Sequence, residues 1–228
     1  MTALGIDVGS ILTQAIGVAI SPVPIIAVIL MLFSRRARRN GPAFLVGWVI
    51  ALVVVGSVVL ELANLGRVST GGTPSTAAEV LRLLLGVLLL FLAARRWRSR
   101  PKEGEEPHMP KWMETIDKIT AGKAFGLGAL LAGLNPKNLA LTLAAALTIA
   151  DAGLSGAAPW IVLVLFIILA SLAVASPVLY YLFAGQSAEK RLNTWKAWLV
   201  ANNATVMFIL LLFFGVALIG EGLGGLIG

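Results

Sequence analysis

The chain has 228 residues and a formal net charge of +7, with 58% hydrophobic residues against only 13% charged and a mean hydropathy of +0.92. Soluble domains carry about 25% charged residues, so the composition excludes an ordinary soluble domain and indicates an integral membrane protein. Cysteine is absent, which excludes disulfides, thiol redox chemistry and thiolate metal sites, and the lone histidine, His108, cannot form an imidazole cluster.

A helix needs about 20 apolar residues to cross a bilayer. Taken in chain order, the first such stretch is 11–33, interrupted near its middle by Ser21-Pro22-Val23-Pro24. The first ten residues hold no Lys or Arg, so the sequence predicts a spanning segment here rather than a cleaved signal. A short basic turn follows, with Arg35, Arg36, Arg38 and Arg39. Wedged between two apolar runs, it reads as a topology anchor that can touch anionic headgroups, not as a nucleic-acid patch. The second span, 42–62, carries Ser57 and, near its far end, Glu61. The third, 80–94, is short, and Ala78 and the snorkelling stem of Arg95 extend it.

The segment 101–123 is a charged linker with a Pro/Gly-rich centre. Trp112, Ile116 and Ile119 share one helical face within it, the pattern of a short helix lying at the membrane surface. The fourth span, 124–149, is broken by Asn135-Pro136-Lys137-Asn138, and the fifth, 158–184, carries Ser171. A second surface helix, with Leu192, Trp195, Trp198 and Leu199, is expected before the last span, 201–220.

Lys and Arg give the threading. Four lie in 34–41, eight in 95–123 and three in 185–200, which places fifteen of the eighteen on one side if six helices alternate. By the positive-inside rule those loops are cytoplasmic and both termini face outward, across a bacterial inner membrane. The two proline breaks lie 114 residues apart, half of the chain. With three spans in each half, the halves enter the membrane with opposite polarity. The fold class read from the sequence is therefore all-α and integral to the membrane, with six transmembrane helices as a 3+3 inverted repeat. Residues 1–100 form the first repeat and 124–228 the second, with spans 1 and 4 broken by proline. Matched broken spans of this kind point to a transport site where the repeats meet.

The candidate substrate-binding residues are accordingly Ser21, Pro22, Pro24, Asn135, Pro136, Lys137 and Asn138. A lysine at mid-span costs about 2.5–3.5 kcal/mol on insertion scales. Lys137 lies too far from either end of its span to reach the interface comfortably. It is expected either to receive an anionic group or to cap carbonyls freed by the breaks. Ser57, Ser171 and Glu61 are candidates for a polar or proton relay, with Glu61 the deepest carboxylate. No metal, cofactor or catalytic pair is expected, and the chain is read as a non-enzyme.

Pro22-x-Pro24, the basic turn, Gly41 and Gly47 before span 2, and Asn135-Pro136-Lys137 opening the second half resemble the lysine-exporter superfamily. Within it, Ser21-Pro22-Val23-Pro24, the run Leu134-Asn135-Pro136-Lys137-Asn138-Leu139 and the long charged linker are most similar to the glycolipid- and sulfolipid-addressing branch of actinobacteria. The resemblance implies a protein that helps move a lipid or other amphiphile toward the cell surface. It implies that Pro22, Pro24, Asn135, Pro136 and Lys137 shape the central site. Amino-acid exporters of that superfamily carry Pro-Gly-Pro-Asn where this chain has Pro22-Val23-Pro24-Ile25, which removes polar ligands for a zwitterion. Export of an amino acid or small solute stays open as an alternative. So does an accessory scaffold docked on a lipid-export partner protein. Membrane lipids are expected neighbours, nucleic acid is not, and a homo-oligomer is allowed.

Overall fold

The computed structural model describes residues 7–69, 76–99 and 119–227. Among them there is no strand, and eight α-helices carry the fold: α1 Val8–Ala19, α2 Pro22–Leu32, α3 Ala37–Ser69, α4 Thr76–Arg98, α5 Ala121–Gly133, α6 Pro136–Asp151, α7 Ala158–Ala184 and α8 Glu189–Ile227. Four of these (α3, α4, α7 and α8) are long and apolar enough to cross a membrane. The count becomes six if α1 with α2, bent by 46°, and α5 with α6, bent by 62°, each make one span. Most of the expected linker and its surface helix, with Trp112 and Ile116, lies outside the described residues.

The bends have local causes. Proline lacks an N–H and disfavours helical geometry in the residue before it. Ser21, ahead of Pro22, is extended at φ −123°, and Asn135, ahead of Pro136, takes ψ 119°. Each helix that follows has proline in its first turn, where the missing donor costs nothing. Asn135 caps α6, its side-chain oxygen accepting from the Lys137 amide at 3.1 Å.

Two helices run longer than the sequence predicts. The basic turn tightens after Arg36, so α3 begins at Ala37, where Asn40 Nδ2 donates to the Ile119 carbonyl at 3.1 Å. The expected surface helix before the last span and the span itself are one helix of 39 residues. No Gly or Pro lies between Glu189 and Val200, so nothing in the chain interrupts it. At 1.5 Å per residue α8 is about 58 Å long, well beyond the roughly 30 Å hydrocarbon core.

The second helix of the first pair, α2, and of the second, α6, sit inside, with the long helices outside and α5 largely on the surface. Nine of the eleven residues of α2 and eleven of the sixteen of α6 are buried. The outer helices turn Val54, Leu84, Phe91, Ile161, Leu172 and Phe213 outward, the all-round apolar pattern of lipid-facing helices. Around the inner helices α4 packs on α8, α3 on α5 and α6, and α7 on α1 and α2. Glycine permits the closest of these contacts. A Cβ on Gly47 would lie 2.0 Å from the Phe125 carbonyl oxygen, and one on Gly128 would lie 2.1 Å from that of Phe44.

Candidate functional site

The first break leaves carbonyls without their usual donors, and each can be followed. In an unbroken helix Val18 O would accept from residue 22 and Ile20 O from residue 24, and both are proline. The Ser21 amide, which would serve Gly17 O, turns instead to Ala19 O at 2.9 Å. Three carbonyls at the C-terminal end of α1 are thus freed in a buried place, where an unmet acceptor costs about 1–3 kcal/mol.

Side chains replace the lost donors. Ser21 Oγ lies 2.7 Å from Val18 O and 2.8 Å from Asn138 Oδ1, so its single proton faces two acceptors, one in each half of the chain. Lys137 Nζ donates to Gly17 O and, at 3.3 Å, to Ile20 O. The lysine is 1% exposed. Its amine therefore sits at the carbonyl-bearing, negative end of the α1 dipole. Across the second break, Asn138 Nδ2 donates to Leu131 O at 2.9 Å. The two breaks meet, and the second half completes the backbone of the first.

Beside this junction is a cavity of about 510 Å³. Ser21, Pro24, Asn135, Pro136 and Lys137 form its inner wall, Leu92, Leu130, Leu131, Met207 and Leu211 its apolar sides, and Arg95, Arg96 and Ser99 the end toward the basic loops. Arg95 and Ser99 also line a neighbouring hollow of about 440 Å³ with Phe91, Ala94 and Arg98. No carboxylate among the described residues pairs with Arg95 or Arg96. The arrangement suits a molecule with an anionic end and an apolar body.

Of the residues singled out from sequence, Ser21, Pro24, Asn135, Pro136 and Lys137 line this cavity. Pro22 and Asn138 are buried behind it and shape the junction. Lys137 performs the carbonyl-capping role, with two of its three donors used so, while still lining the cavity. The relay candidates are elsewhere. Glu61 is exposed, Ser57 half-buried, and Ser171 buried with its hydroxyl unpartnered; none is among the cavity's described walls. The small residues near the breaks divide in the same way. Gly17 is packed on Phe214 and Leu141, whereas nothing lies within 4 Å of a Cβ on Gly126.

Sequence reasoning missed a second polar cluster at the far end of α4. Arg82, which lies outside the three basic segments, is 5% exposed, and its guanidinium donates to Glu79 Oε1 at 2.6 Å and to Asp151 Oδ2. The spacing of Glu79 and Arg82 on one helix face was a readable signal. The partner Asp151, 69 residues away, was not. At the same end Asp7 caps α1, and hydrogen bonds from the Ser10 hydroxyl and amide hold its carboxyl below the usual aspartate range.

A family model described as Sap, sulfolipid-1-addressing protein, matches residues 11–224 of the chain. No curated protein and no solved structure matches it.

Proposed function

The chain belongs to the sulfolipid-1-addressing protein family, and from that premise we propose that it is a transporter, or a transport component, that moves a lipid or other amphiphile across a bacterial inner membrane. The observation that carries this reading is the cavity at the junction of the two breaks, apolar along its sides and bearing Arg95 and Arg96 at one end. Its volume of about 510 Å³ holds a headgroup and part of an apolar body, not a whole glycolipid, so acyl chains would stay in the bilayer while the headgroup passes. Arg95 and Arg96, free of described carboxylate partners, receive the anionic end by charge-assisted hydrogen bonds. Lys137 holds the floor of the cavity by capping α1, with one donor left for the headgroup.

Helix packing supports a 3+3 arrangement with six spans. Exchanging α1 with α5, α2 with α6, α3 with α7 and α4 with α8 turns the α3–α5 contact into the α7–α1 contact and returns α4–α8 to itself. Halves related by a pseudo-two-fold axis in the membrane plane allow inward- and outward-open states of similar energy. On this reading the basic loops and the cavity mouth face the cytoplasm and both termini face outward. Partner proteins of a larger export system would dock on the cytoplasmic linker.

The test is translocation in liposomes of phosphatidylethanolamine and phosphatidylglycerol, using a headgroup-labelled anionic lipid and a membrane-impermeant quencher. The purified protein is expected to accelerate transfer between leaflets, and Arg95→Gln with Arg96→Gln to remove most of that acceleration. Efflux of amino acids without lipid transfer would replace this reading with the small-solute exporter. No activity until a co-purifying partner is added would replace it with the scaffold.

A further inference from the structure

The cavity at the junction is not sealed on every side. Two of its apolar walls, Met207 and Leu211 of α8, are buried, whereas Leu130 of α5 is 52% exposed and Leu134, next to the second break, is 69% exposed. Pro136 lines the cavity and is exposed as well. The helix packing accounts for this. Among the described residues α4 packs chiefly on α8 and α5 chiefly on α3, and α4 and α5 are not packed on each other. Leu92, Arg95 and Ser99 of α4 thus stand on one side of a cleft, with Leu130 and Leu134 of α5 on the other.

At the first break the corresponding space is filled. At the 114-residue offset Ile16, Gly17 and Ile20 correspond to Leu130, Leu131 and Leu134. Ile16 and Ile20 are exposed too, so α1 and α5 both turn an apolar face outward. What lies behind those faces differs. A Cβ on Gly17 would lie 2.3 Å from Phe214 Cζ and 2.6 Å from Leu141 Cδ1, so α8 and α6 close the first half. Leu131 instead lines the cavity. Leu130 and Leu134 are therefore the rim of an opening, which sets them apart from the other outward-facing leucines of the molecule.

We infer that Leu130 and Leu134 of α5, with Leu92 of α4, form an acyl-chain subsite open to the bilayer between α4 and α5, by which an anionic membrane lipid enters the cavity sideways. This rests on the transport reading above and adds the route of the substrate. Leu134 follows the thirteen residues of α5, about 20 Å from the start of that helix. The opening thus reaches the depth of acyl chains rather than headgroups. An acyl chain moving from the bilayer onto these leucines exchanges one apolar surface for another, so it crosses at little cost. The headgroup gives up water, and Arg95, Arg96 and Ser99 at the basic end of the same cavity replace it with charge-assisted hydrogen bonds. A wholly water-soluble solute gains nothing from a wall open to hydrocarbon, so the cleft favours a ligand that carries a chain.

The test puts a photoreactive benzophenone amino acid in place of Leu134 or, in a second variant, of Leu130. Leu172, an exposed leucine in the middle of α7, is the reference position. The full chain is reconstituted in liposomes of phosphatidylethanolamine and phosphatidylglycerol in equal parts and irradiated, and the attached lipids are identified by mass spectrometry. The reference position should capture the two lipids in the bilayer's own proportion. The Leu134 and Leu130 positions should favour phosphatidylglycerol over that proportion by roughly tenfold, the preference that about 1.4 kcal/mol supplies. Arg95→Gln with Arg96→Gln should return both positions to the reference ratio. Arg35→Gln with Arg36→Gln, the same loss of charge outside the cavity's described walls, should leave the preference intact. A ratio at Leu134 and Leu130 equal to that at Leu172 overturns the subsite. So does a preference that survives without Arg95 and Arg96, or that falls equally without Arg35 and Arg36, since either marks a diffuse attraction to surface charge. Capture does not require transfer between leaflets. A preference without lipid transfer would therefore count against the transport reading alone, and transfer without a preference against the lateral route alone.

Discussion

The contact between α3 and α5 positions the second break, and adding one methyl group to either helix tests it. In Gly47→Ala the new Cβ would stand 2.0 Å from the Phe125 carbonyl oxygen, and in Gly128→Ala it would stand 2.1 Å from the Phe44 carbonyl oxygen. A carbon and a carbonyl oxygen come no closer than about 3.3 Å even in a weak C–H···O contact. Each variant must therefore separate the helices by more than about 1 Å. The obstacle is backbone, so no side chain can turn aside. Overpacking costs typically about 1–3 kcal/mol, and each variant belongs near the upper end, even after the better helix propensity of alanine is counted. Both methyls push the same two helices apart, so the separation that admits one largely admits the other. The double variant should then cost clearly less than the sum of the singles, with a coupling of roughly 1–3 kcal/mol. Gly126→Ala, two residues away on the opposite side of α5 with nothing within 4 Å of its Cβ, should be neutral within about 0.5 kcal/mol or slightly stabilising. Unfolding of the purified protein in mixed micelles, followed by near-ultraviolet circular dichroism, measures all four. Additive singles, or a Gly126→Ala as damaging as Gly128→Ala, would refute a backbone-to-backbone contact.

Other outcomes follow from the junction and the first helix. Pro22→Ala with Pro24→Ala restores N–H donors toward Val18 O and Ile20 O, so the 46° bend between α1 and α2 should shrink. Distances between spin labels on the two helices would show it, and lipid transfer should fall with the bend; an unchanged distance distribution would mean that tertiary packing alone sets the angle. Ser21→Ala leaves Val18 O and Asn138 Oδ1 short of a donor and should cost about 1–3 kcal/mol in the same unfolding assay. Ser21→Thr, which keeps the hydroxyl, should recover most of it. Asp7→Ala removes the α1 cap and should cost about 1 kcal/mol at neutral pH. Since the folded carboxyl titrates below its ordinary value, this contribution is present above the unfolded value and is lost as pH falls through the folded one. Parent and variant should therefore converge in stability only in strong acid.

Much of the site was legible because its causes are local. Proline removes a donor wherever it stands, so Pro22, Pro24 and Pro136 announced broken helices without any knowledge of their neighbours. Lys137, costly at mid-span, announced that a partner must exist. The sequence left open whether that partner was a ligand or the backbone, and the Gly17 and Ile20 carbonyls are part of the answer. Ser57, Ser171 and Glu61 were weaker indications, since a small polar residue or a carboxylate near a helix end has many uses. Glu61 proved exposed, while the carboxylates paired with a buried arginine were Glu79 and Asp151.

By itself, the sequence determined that this is a membrane protein, where its helices bend, and which residue types must be satisfied at the bends. These follow from hydropathy and backbone chemistry, which act over a few residues. Only the tertiary structure decided which distant groups meet. It joined Ser21 to Asn138 across 117 positions and Arg82 to Asp151 across 69. It also gave the cavity two arginines from a helix that neither break contains. Helix surfaces alike in apolar character have many acceptable neighbours. The pairings are chosen by the summed fit of all eight helices, in which glycines such as Gly47 and Gly128 admit one approach and bulkier residues forbid the rest.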